Sequence, residues 1–407
     1  MKSRYSMGAY LTGAVTARTG DEMSGPALTL AGFAVAGSAA EASTLLAGVT
    51  IAAAVGGPVL GVLLDRAARP GRLLAAALTL HATGLMVILA GIGRLPLSVC
   101  GLIAVLTGLP GPALSGGWTA QLPRVVPRDN LLGVNALDAM TFGLAGLLGP
   151  ALAGGAAQVF GAPASVAVSA VLIGLAVPVA WRLPVSVRPS KGSEAASVVR
   201  ALLAGVRFVV RAPRLARATL TSAVACVGQG MLTVCLPLLG SRVFGGAGQG
   251  TMLLSCAAVS ALTANAALAR FPRSLAPDTV LWAGALVQAA ALLLAATGRP
   301  AALLAAVLLA GIGEGPALTA LFAVRHQETP EHLRGQVFTL GASLKLTGFA
   351  LGAALAGSAV TWSLPGTLAL AAGVEILAAP AFWAVTAGVR RTADPAQAQA
   401  VRFRAGR

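Results

Sequence analysis

Residues 43–92 read STLLAGVTIAAAVGGPVLGVLL, DRAARPGR and LLAAALTLHATGLMVILAGI in succession. Two stretches of 22 and 20 residues without a charge flank an eight-residue connection that holds Asp65 and three arginines. An α-helix needs about 20 mostly apolar residues to cross the hydrocarbon core of a bilayer. This part of the chain therefore predicts two membrane-spanning helices joined by a short arginine-rich loop.

The same pattern continues along the chain, which has 407 residues, 57% hydrophobic and 10% charged, with a mean hydropathy of +0.83. A soluble domain carries about 25% charged residues, so a soluble enzyme and a disordered chain are both excluded as default expectations. The chain predicts an all-α membrane protein with twelve transmembrane helices. The predicted spans are 8–34, 43–64, 73–92, 97–119, 131–157, 165–181, 216–240, 249–269, 279–297, 300–324, 335–360 and 366–388.

The net charge of +16 is explained by topology. With both termini in the cytoplasm, 24 of the 29 lysines and arginines fall on the cytoplasmic side, and Arg94, Arg242 and Arg299 fall on the other. Cytoplasmic loops of membrane proteins carry such an excess of basic residues. We therefore expect a multi-pass protein of the cell membrane, with the lipid bilayer as its surroundings and no nucleic-acid partner.

A basic connection near the midpoint divides the chain. We predict an N-terminal six-helix bundle over 1–182, a linker over 183–215, a C-terminal six-helix bundle over 216–390 and a basic tail over 391–407. A shift of 203 or 204 residues aligns parts of the two halves, for example residues 111–114 with 315–318, which favours duplication. The second part of the linker predicts an amphipathic helix, which lies in the membrane interface or packs on the cytoplasmic helix ends.

The first cytoplasmic loop, GVLLDRAARPGRL at residues 61–73, carries a recognisable motif. It resembles the G-x-L-A-D-R-x-G-R-K-x-x-L signature of the major facilitator superfamily. The matching residues are Gly61, Leu63, Asp65, Arg66, Arg69 and Leu73, and the loop departs from the signature at Leu64, Ala68 and Pro70. With the twelve predicted spans and the related halves, the resemblance covers almost the whole chain.

This resemblance implies a secondary transporter with a central substrate site between two six-helix bundles. It also implies a cytoplasmic gate, in which Asp65 faces the N-terminal end of the eleventh transmembrane helix and Arg66 pairs with nearby acids. An ordinary solvated turn is the alternative interpretation of the loop. We assign to this gate Gly61, Asp65, Arg66, Arg69, Arg72 and Asp138.

The fifth span contains a glycine-rich element that resembles the G-P-x-x-G-G element of drug-exporting branches of the family. Gly149, Pro150, Gly154 and Gly155 form it, with one additional residue before the glycine pair. Small residues let helix backbones approach closely, so Gly149, Pro150 and Gly154 are equally predicted to serve helix packing.

Charged residues inside spans indicate the coupling or substrate site, because each is costly in the membrane. Arg18, Asp21 and Glu22 share one face of the first helix, where we expect them to neutralise one another in part, with one acid in surplus. Lys345 is the predicted remote counterion. The predicted coupling and substrate residues are Asp21, Glu22, Arg18, Glu314, Lys345 and Gln229, and a static role stays open for each.

Other chemistry finds little support in the sequence. The four cysteines and three histidines form no metal-ligand pattern, Glu375 is assigned a structural role, and His81 is assigned none. Neither a catalytic residue, a metal nor a cofactor is predicted, and no phosphate-binding loop indicates ATP drive. We expect a monomeric, proton-coupled exporter of lipophilic or cationic small molecules. Proton-driven uptake of a small nutrient is the alternative, and a transport-fold receptor or a membrane-embedded enzyme is less favoured.

Overall fold

The computed structural model describes residues 7–36, 39–125, 131–184, 198–244, 247–270 and 276–377. The first half contains six long helices. These are α1 (Met7–Ala31), α2 (Ala39–Arg66), α3 (Pro70–Gly91), α4 (Leu97–Gly108), α5 (Leu131–Phe160) and α6 (Ala162–Trp181). A π-helical turn, Gly32–Ala36, follows α1. A second π-helical turn, Ala113–Gly117, and a 3-10 turn, Leu122–Arg124, continue α4 towards the loop before α5.

One helix of 14 residues separates the halves, and six more follow. These are α7 (Val198–Arg211), then α8 (Pro213–Phe244), α9 (Ala247–Arg270), α10 (Pro277–Ala296), α11 (Pro300–Glu328), α12 (Arg334–Ala359) and α13 (Leu364–Leu377). The 3-10 turn Glu331–Leu333 precedes α12. Within these described residues, the fold is the predicted all-α architecture.

Local sequence explains where several helices begin and end. Proline is the first residue of α3, α8, α10 and α11, where its missing N–H group is not needed by the helix. Gly161 and Gly298 have positive φ values of 90° and 65° in the tight connections before α6 and α11. Such a backbone conformation favours glycine because it has no Cβ atom.

Ten of the described helical segments are long and apolar enough to cross a membrane. The helix α1 also has the necessary length, but it carries Arg18, Asp21 and Glu22. The structure describes 14 residues of α13. Six described helices before α7 and six after it fit the twelve predicted transmembrane helices in two six-helix bundles.

Each half has its own apolar core. One core is drawn from α1–α6, with Tyr10, Leu78 and Trp118 among its fully buried members, and the other is drawn from α8–α13, with Met231, Leu303 and Leu368. The halves meet where α2 lies against α12 and α5 lies against α9 and α11. The predicted domain boundaries and the basic tail stay predictions, since the tail lies outside the described residues.

The amphipathic helix α7 packs partly on the ends of α8 and α12. Val209 is buried in a small cluster with Leu215 and Val337, and the Gln336 amide donates hydrogen bonds to the carbonyls of Ala201 and Leu202. Leucine and valine side chains on other faces of α7 remain exposed. One predicted placement, packing on the helix ends, is therefore seen, and the exposed apolar side chains leave room for contact with the membrane interface.

Candidate functional site

The two bundles touch at the end of the molecule that carries α7 and the loop between α2 and α3. We call this end of the molecule the arginine-rich end. Near the C-terminal end of α2, the Asp65 carboxylate accepts hydrogen bonds from the backbone N–H groups of Gly335 (2.6 Å) and Gln336 (2.8 Å). These groups belong to the first turn of α12 and have no acceptor within that helix. The carboxylate also meets the positive end of the helix dipole.

Glycine allows this close contact between α2 and α12. A Cβ atom at Gly61 would overlap the backbone of Gln336 and the hydroxyl of Thr339. One turn deeper, the Ser343 hydroxyl donates a hydrogen bond of 2.9 Å to the carbonyl of Ala53. The backbone of α2 therefore lies directly on α12 from Asp65 to the middle of the membrane-spanning region.

The arginine-rich end contains two further charged residues that sequence reasoning did not assign to the gate. The Arg124 guanidinium lies 3.6 Å from a carboxylate oxygen of Glu331 and donates a hydrogen bond of 2.7 Å to Gln121. Burial lowers the pKa of Arg124, and the negative charges of Glu331 and Asp65 oppose that change. Their position in short connections beside Asp65 was the available signal, because loops at one helix end converge in space.

The other arginines of the predicted gate are placed differently. Arg66 lies in the last turn of α2, and Arg69 occupies the N-terminal cap position of α3. The Arg72 guanidinium lies over the ring of Trp181 on α6, 4.9 Å from its centroid, which is a cation–π contact within the N-terminal bundle. A role for these three residues in gating stays a prediction.

Substitution of Gly61 tests the contact between the bundles. In Gly61→Ala, the new Cβ atom is expected to push α2 away from α12 and favour a state that is open at the arginine-rich end. Reactivity of Ser343→Cys with a water-soluble maleimide, in a background without native cysteines, should rise at least about fivefold, which corresponds to roughly 1 kcal/mol. Gly154→Ala is the control, since a Cβ atom there meets nothing within 4 Å. Equal labelling of both variants would contradict the expectation.

A buried ion pair ties α1 to α5 and to the helical segment that continues α4. The Arg18 guanidinium of α1 lies 3.0 Å from the Asp138 carboxylate of α5, and both side chains are almost completely buried. The Tyr10 hydroxyl (3.0 Å) and the Thr119 hydroxyl (2.8 Å) donate to the same carboxylate. Arg18 also donates to Thr119 and Thr141, and its guanidinium stacks 3.7 Å from the ring centroid of Phe142. Each charge is therefore both paired and hydrogen-bonded.

This ion pair corrects two expectations from the sequence. Arg18 does not neutralise Asp21 and Glu22 on its own helix, because its long side chain reaches across to α5. Asp138 contacts Arg18, Tyr10 and Thr119 inside the bundle, so the assignment to the cytoplasmic gate is not supported by its contacts. Sequence reasoning missed the pair because its members are 120 residues apart.

Other predicted residues surround a cavity between the helices of the C-terminal half. The cavity volume is about 40 Å³, and its walls mix apolar side chains with hydroxyls, amides and one charge of each sign. The Gln229 amide of α8 donates a hydrogen bond of 2.6 Å to the Glu314 carboxylate of α11. The residues that line the cavity are Thr221, Ser222, Ala225, Cys226, Gln229, Leu281, Ala285, Gln288, Glu314, Ala317, Leu318 and Lys345.

Glu22 brings the N-terminal bundle to this region. Its side chain is exposed, and its carboxylate interacts electrostatically with Asp21 and, across the seam, with Lys345 and Glu314. Glu22, Glu314, Lys345 and Gln229 are thus brought together as predicted residues of one region, while Arg18 is withdrawn from it. Three acids, including Asp21, accompany one lysine.

Asp21 has a neighbour that the sequence analysis passed over. Its carboxylate lies 3.6 Å from Nε2 of His81 on α3. The histidine is completely buried, whereas 31% of the Asp21 side chain is exposed. The available signal was that an ionisable residue within a membrane span is functional by default.

The glycine-rich element of α5 packs only in part. A Cβ atom at Gly149 would lie 2.7 Å from Cβ of Glu22, so this glycine lets α5 approach α1 at Glu22. Gly154 has open space around it, which corrects the packing role predicted for it. The reason is its position: α5 meets α9 and α11 nearer its other end, where Phe142 stacks on Phe322. Pro150 lies within α5 between these glycines.

Glu375 of α13 is buried against α8. Its carboxylate oxygens have no hydrogen-bond partner among the described residues, and a Cβ atom at Gly228 would approach one of them to 2.5 Å. This placement is compatible with the structural role assigned from the sequence.

Comparison with known proteins identifies the class of this fold and site. A family model described as Major Facilitator Superfamily matches residues 10–278. An uncharacterized MFS-type transporter of Sinorhizobium fredii, y4rN, is 32% identical over 373 residues, which cover 86% of this chain and 88% of that protein. The chain therefore belongs to the major facilitator superfamily.

Solved structures share the fold at low sequence identity. The human organic anion transporter MFSD10 superposes with a TM-score of 0.76 at 17% identity, covering 95% of this chain and 100% of that chain. A bacterial homologue of the iron transporter ferroportin in an outward-facing state gives 0.75 at 17% identity, with 94% and 99% covered. The proton:xylose symporter XylE gives 0.71 at 12% identity, with 94% and 96% covered.

Family membership gives the general function. The protein is a multi-pass membrane protein and a secondary transporter that works by alternating access, rather than an enzyme. It moves a small-molecule substrate, and transporters of this family often couple that movement to ions.

Proposed function

We propose that this transporter exports lipophilic or cationic small molecules in exchange for protons. The observation that carries the proposal is the excess of acids where the two bundles face each other: Asp21, Glu22 and Glu314 accompany Lys345 as the one lysine. Acids within membrane spans are costly when their charge is not neutralised, so the surplus acid binds either a proton or a cationic substrate. Competition between the two for the same carboxylates couples their movement in opposite directions.

The residues that line the cavity favour a lipophilic substrate. Alanine and leucine side chains of α10 and α11, such as Leu281 and Leu318, alternate there with a few polar groups. Apolar walls bind organic groups through the hydrophobic effect, and a small number of polar groups fix orientation. The polar groups include Gln229, whose amide is already bound to Glu314. The hydroxyls of Thr221 and Ser222 and the Gln288 amide remain for a polar substrate, which keeps uptake of a small nutrient as the alternative.

The conformation fits one step of such a cycle. If the arginine-rich end is cytoplasmic, as the positive-inside rule predicts, the closed contact of Asp65 with α12 corresponds to a transporter closed to the cytoplasm. The carboxylates would then receive protons from outside and release substrate there. The same proposal includes that the protein is a monomer in the cell membrane and that both of its termini lie in the cytoplasm. It also includes membership of an efflux branch of the family.

Transport by purified protein in liposomes tests the proposal. With an acidic lumen, we expect accumulation of tetraphenylphosphonium, a lipophilic cation, and release of protons from the lumen when it is added. Asp21→Asn and Glu22→Gln are each expected to lower this accumulation at least about tenfold, or roughly 1.4 kcal/mol. Glu328→Gln is a matched control. Glu328 lies on α11, the helix that carries Glu314, but it pairs with Arg214 of α8 outside the cavity.

Two outcomes would oppose the proposal. Wild-type accumulation in both Asp21→Asn and Glu22→Gln would exclude these carboxylates as the coupling groups. Accumulation of a polar nutrient that requires an acidic exterior instead would indicate cotransport with protons, and so the uptake alternative.

A further inference from the structure

His81 has one ring nitrogen whose protonation is fixed by its surroundings. The histidine lies on α3, is completely buried, and has Nδ1 2.8 Å from the backbone carbonyl oxygen of Thr107 on α4. A carbonyl oxygen only accepts hydrogen bonds, so Nδ1 carries a hydrogen and donates it. A Cβ atom at Gly84, one turn along α3, would overlap the Thr107 hydroxyl, so glycine there permits the approach of the two helices.

The other ring nitrogen faces an acid. Since Nδ1 carries the hydrogen of the neutral ring, Nε2 presents a lone pair. Nε2 is buried, has no hydrogen-bond partner within the described residues, and lies 3.6 Å from Oδ1 of Asp21 on α1. An ionised Asp21 carboxylate offers only acceptor atoms as well. Two acceptors would therefore face each other in a buried place unless a proton lies between them.

One proton resolves this conflict. It converts the contact into a hydrogen bond, either between imidazolium and carboxylate or between imidazole and carboxylic acid. In both forms the pair has no net charge, and loss of the proton leaves one negative charge. Because Asp21 is partly exposed while His81 is enclosed, the acid is the member of the pair that a proton reaches first.

We propose that Asp21 and His81 form a dyad that holds a single proton, and that this is the proton exchanged for substrate. The inference rests on the proposed function and adds His81 to it. Loss of the proton places a second negative charge beside Glu22, which favours a cationic substrate. Proton and substrate thus occupy the region alternately.

Among the described residues, few other titratable groups surround the dyad. Glu22 is its neighbour on α1, and Lys345 and Glu314 act on Glu22 from the other bundle. On α4 the contact is the carbonyl of Thr107, and on α6 the Ser169 hydroxyl donates a hydrogen bond of 2.6 Å to the carbonyl of Gly20. Neither of these two groups titrates, so a pH response of His81 reports on Asp21 with Glu22 as its next charged neighbour.

Nitrogen NMR of histidine tests the dyad without a substrate or a gradient. The full chain is labelled with ¹⁵N-histidine in lipid nanodiscs, and His326→Asn and His332→Asn assign the three histidines. We expect the Nδ1 resonance of His81 to stay that of an N–H group, while the Nε2 resonance changes with pH as the shared proton binds to the pair and leaves it. In Asp21→Asn, half-protonation of Nε2 should require at least about tenfold more protons, since the carboxylate no longer stabilises the charged ring.

The Glu328→Gln variant serves as the control and should titrate like the wild type. Two results would overturn the dyad: a bare Nδ1 in the wild type, which needs no variant, or a titration of Nε2 that Asp21→Asn leaves unchanged. The NMR result is independent of transport. An intact dyad in a protein whose transport ignores protons would overturn the proposed function instead.

A transport measurement tests whether the dyad carries the coupling proton. His81→Gln is expected to lower tetraphenylphosphonium accumulation driven by a proton gradient at least about tenfold. Glu328→Gln is the control and should accumulate tetraphenylphosphonium within about twofold of wild type, because Glu328 pairs with Arg214 outside the dyad. Wild-type accumulation in His81→Gln would exclude the dyad as the coupling site.

Discussion

Asp138→Asn is expected to destabilise the protein by about 3–5 kcal/mol, because it leaves the Arg18 guanidinium buried without a countercharge. The double variant with Arg18→Met should recover a large part of that loss, since no unpaired charge then remains in the bundle. The measurement is unfolding of the purified protein in mixed micelles, followed through its helical circular dichroism. The four proteins, including Arg18→Met alone, form a double-mutant cycle.

The cycle separates an ion pair from two independent packing defects. Strong coupling between the variants is the expected result, because Asp138 and Arg18 are each other's partner at 3.0 Å. Purely additive losses would contradict it and would assign the stability to the surrounding hydroxyls of Tyr10 and Thr119 instead.

Asp65→Asn is expected to open the arginine-rich end. The variant loses the charge at the N-terminus of α12 and one of the two acceptor oxygens that bind Gly335 and Gln336. Hydrogen bonds to charged groups contribute about 1.5–3 kcal/mol, so a loss of about 2 kcal/mol is expected. This corresponds to roughly a 30-fold change in the ratio of closed to open molecules.

Distances between spin labels on Ala68 and His332, which are both exposed, measure this change across the seam. A longer distance should become prominent in Asp65→Asn. The control is Asp278→Asn, which removes an acid that binds Arg214 and Arg217 within the C-terminal bundle. An unchanged distance distribution in Asp65→Asn would show that the contact does not hold the bundles together.

Much of the fold was predictable because the membrane imposes a simple rule on sequence. Apolar stretches such as residues 73–92 correspond to helices, here α3. The place of Asp65 at the start of α12 was implied by the resemblance, and the structure puts it there. No local pattern contains that contact, because the two residues are 270 positions apart.

The site was less predictable, since side-chain direction decides it. Arg18, Asp21 and Glu22 are neighbours on one helix, and spacing alone suggests that they pair. The helix packs so that Arg18 points into the bundle while Asp21 and Glu22 remain accessible. Which of them meets His81 depends on how α1 and α3 are rotated, and that rotation follows from the packing of many apolar residues.

The donor side and the acceptor side of the contact made by Asp65 differ in how easily a mutation removes them. Its donors are main-chain amides at positions 335 and 336, which a change of side chain does not remove, although a Cβ atom at Gly335 would lie 2.8 Å from Oδ1 of Asp65. The acceptor, by contrast, is a single carboxylate that one base change can delete. Deep mutational scanning should accordingly find intolerance at position 65 and at Gly61 and Gly335, where α2 touches α12, whereas the side chain at 336 is required for its separate hydrogen bonds to α7.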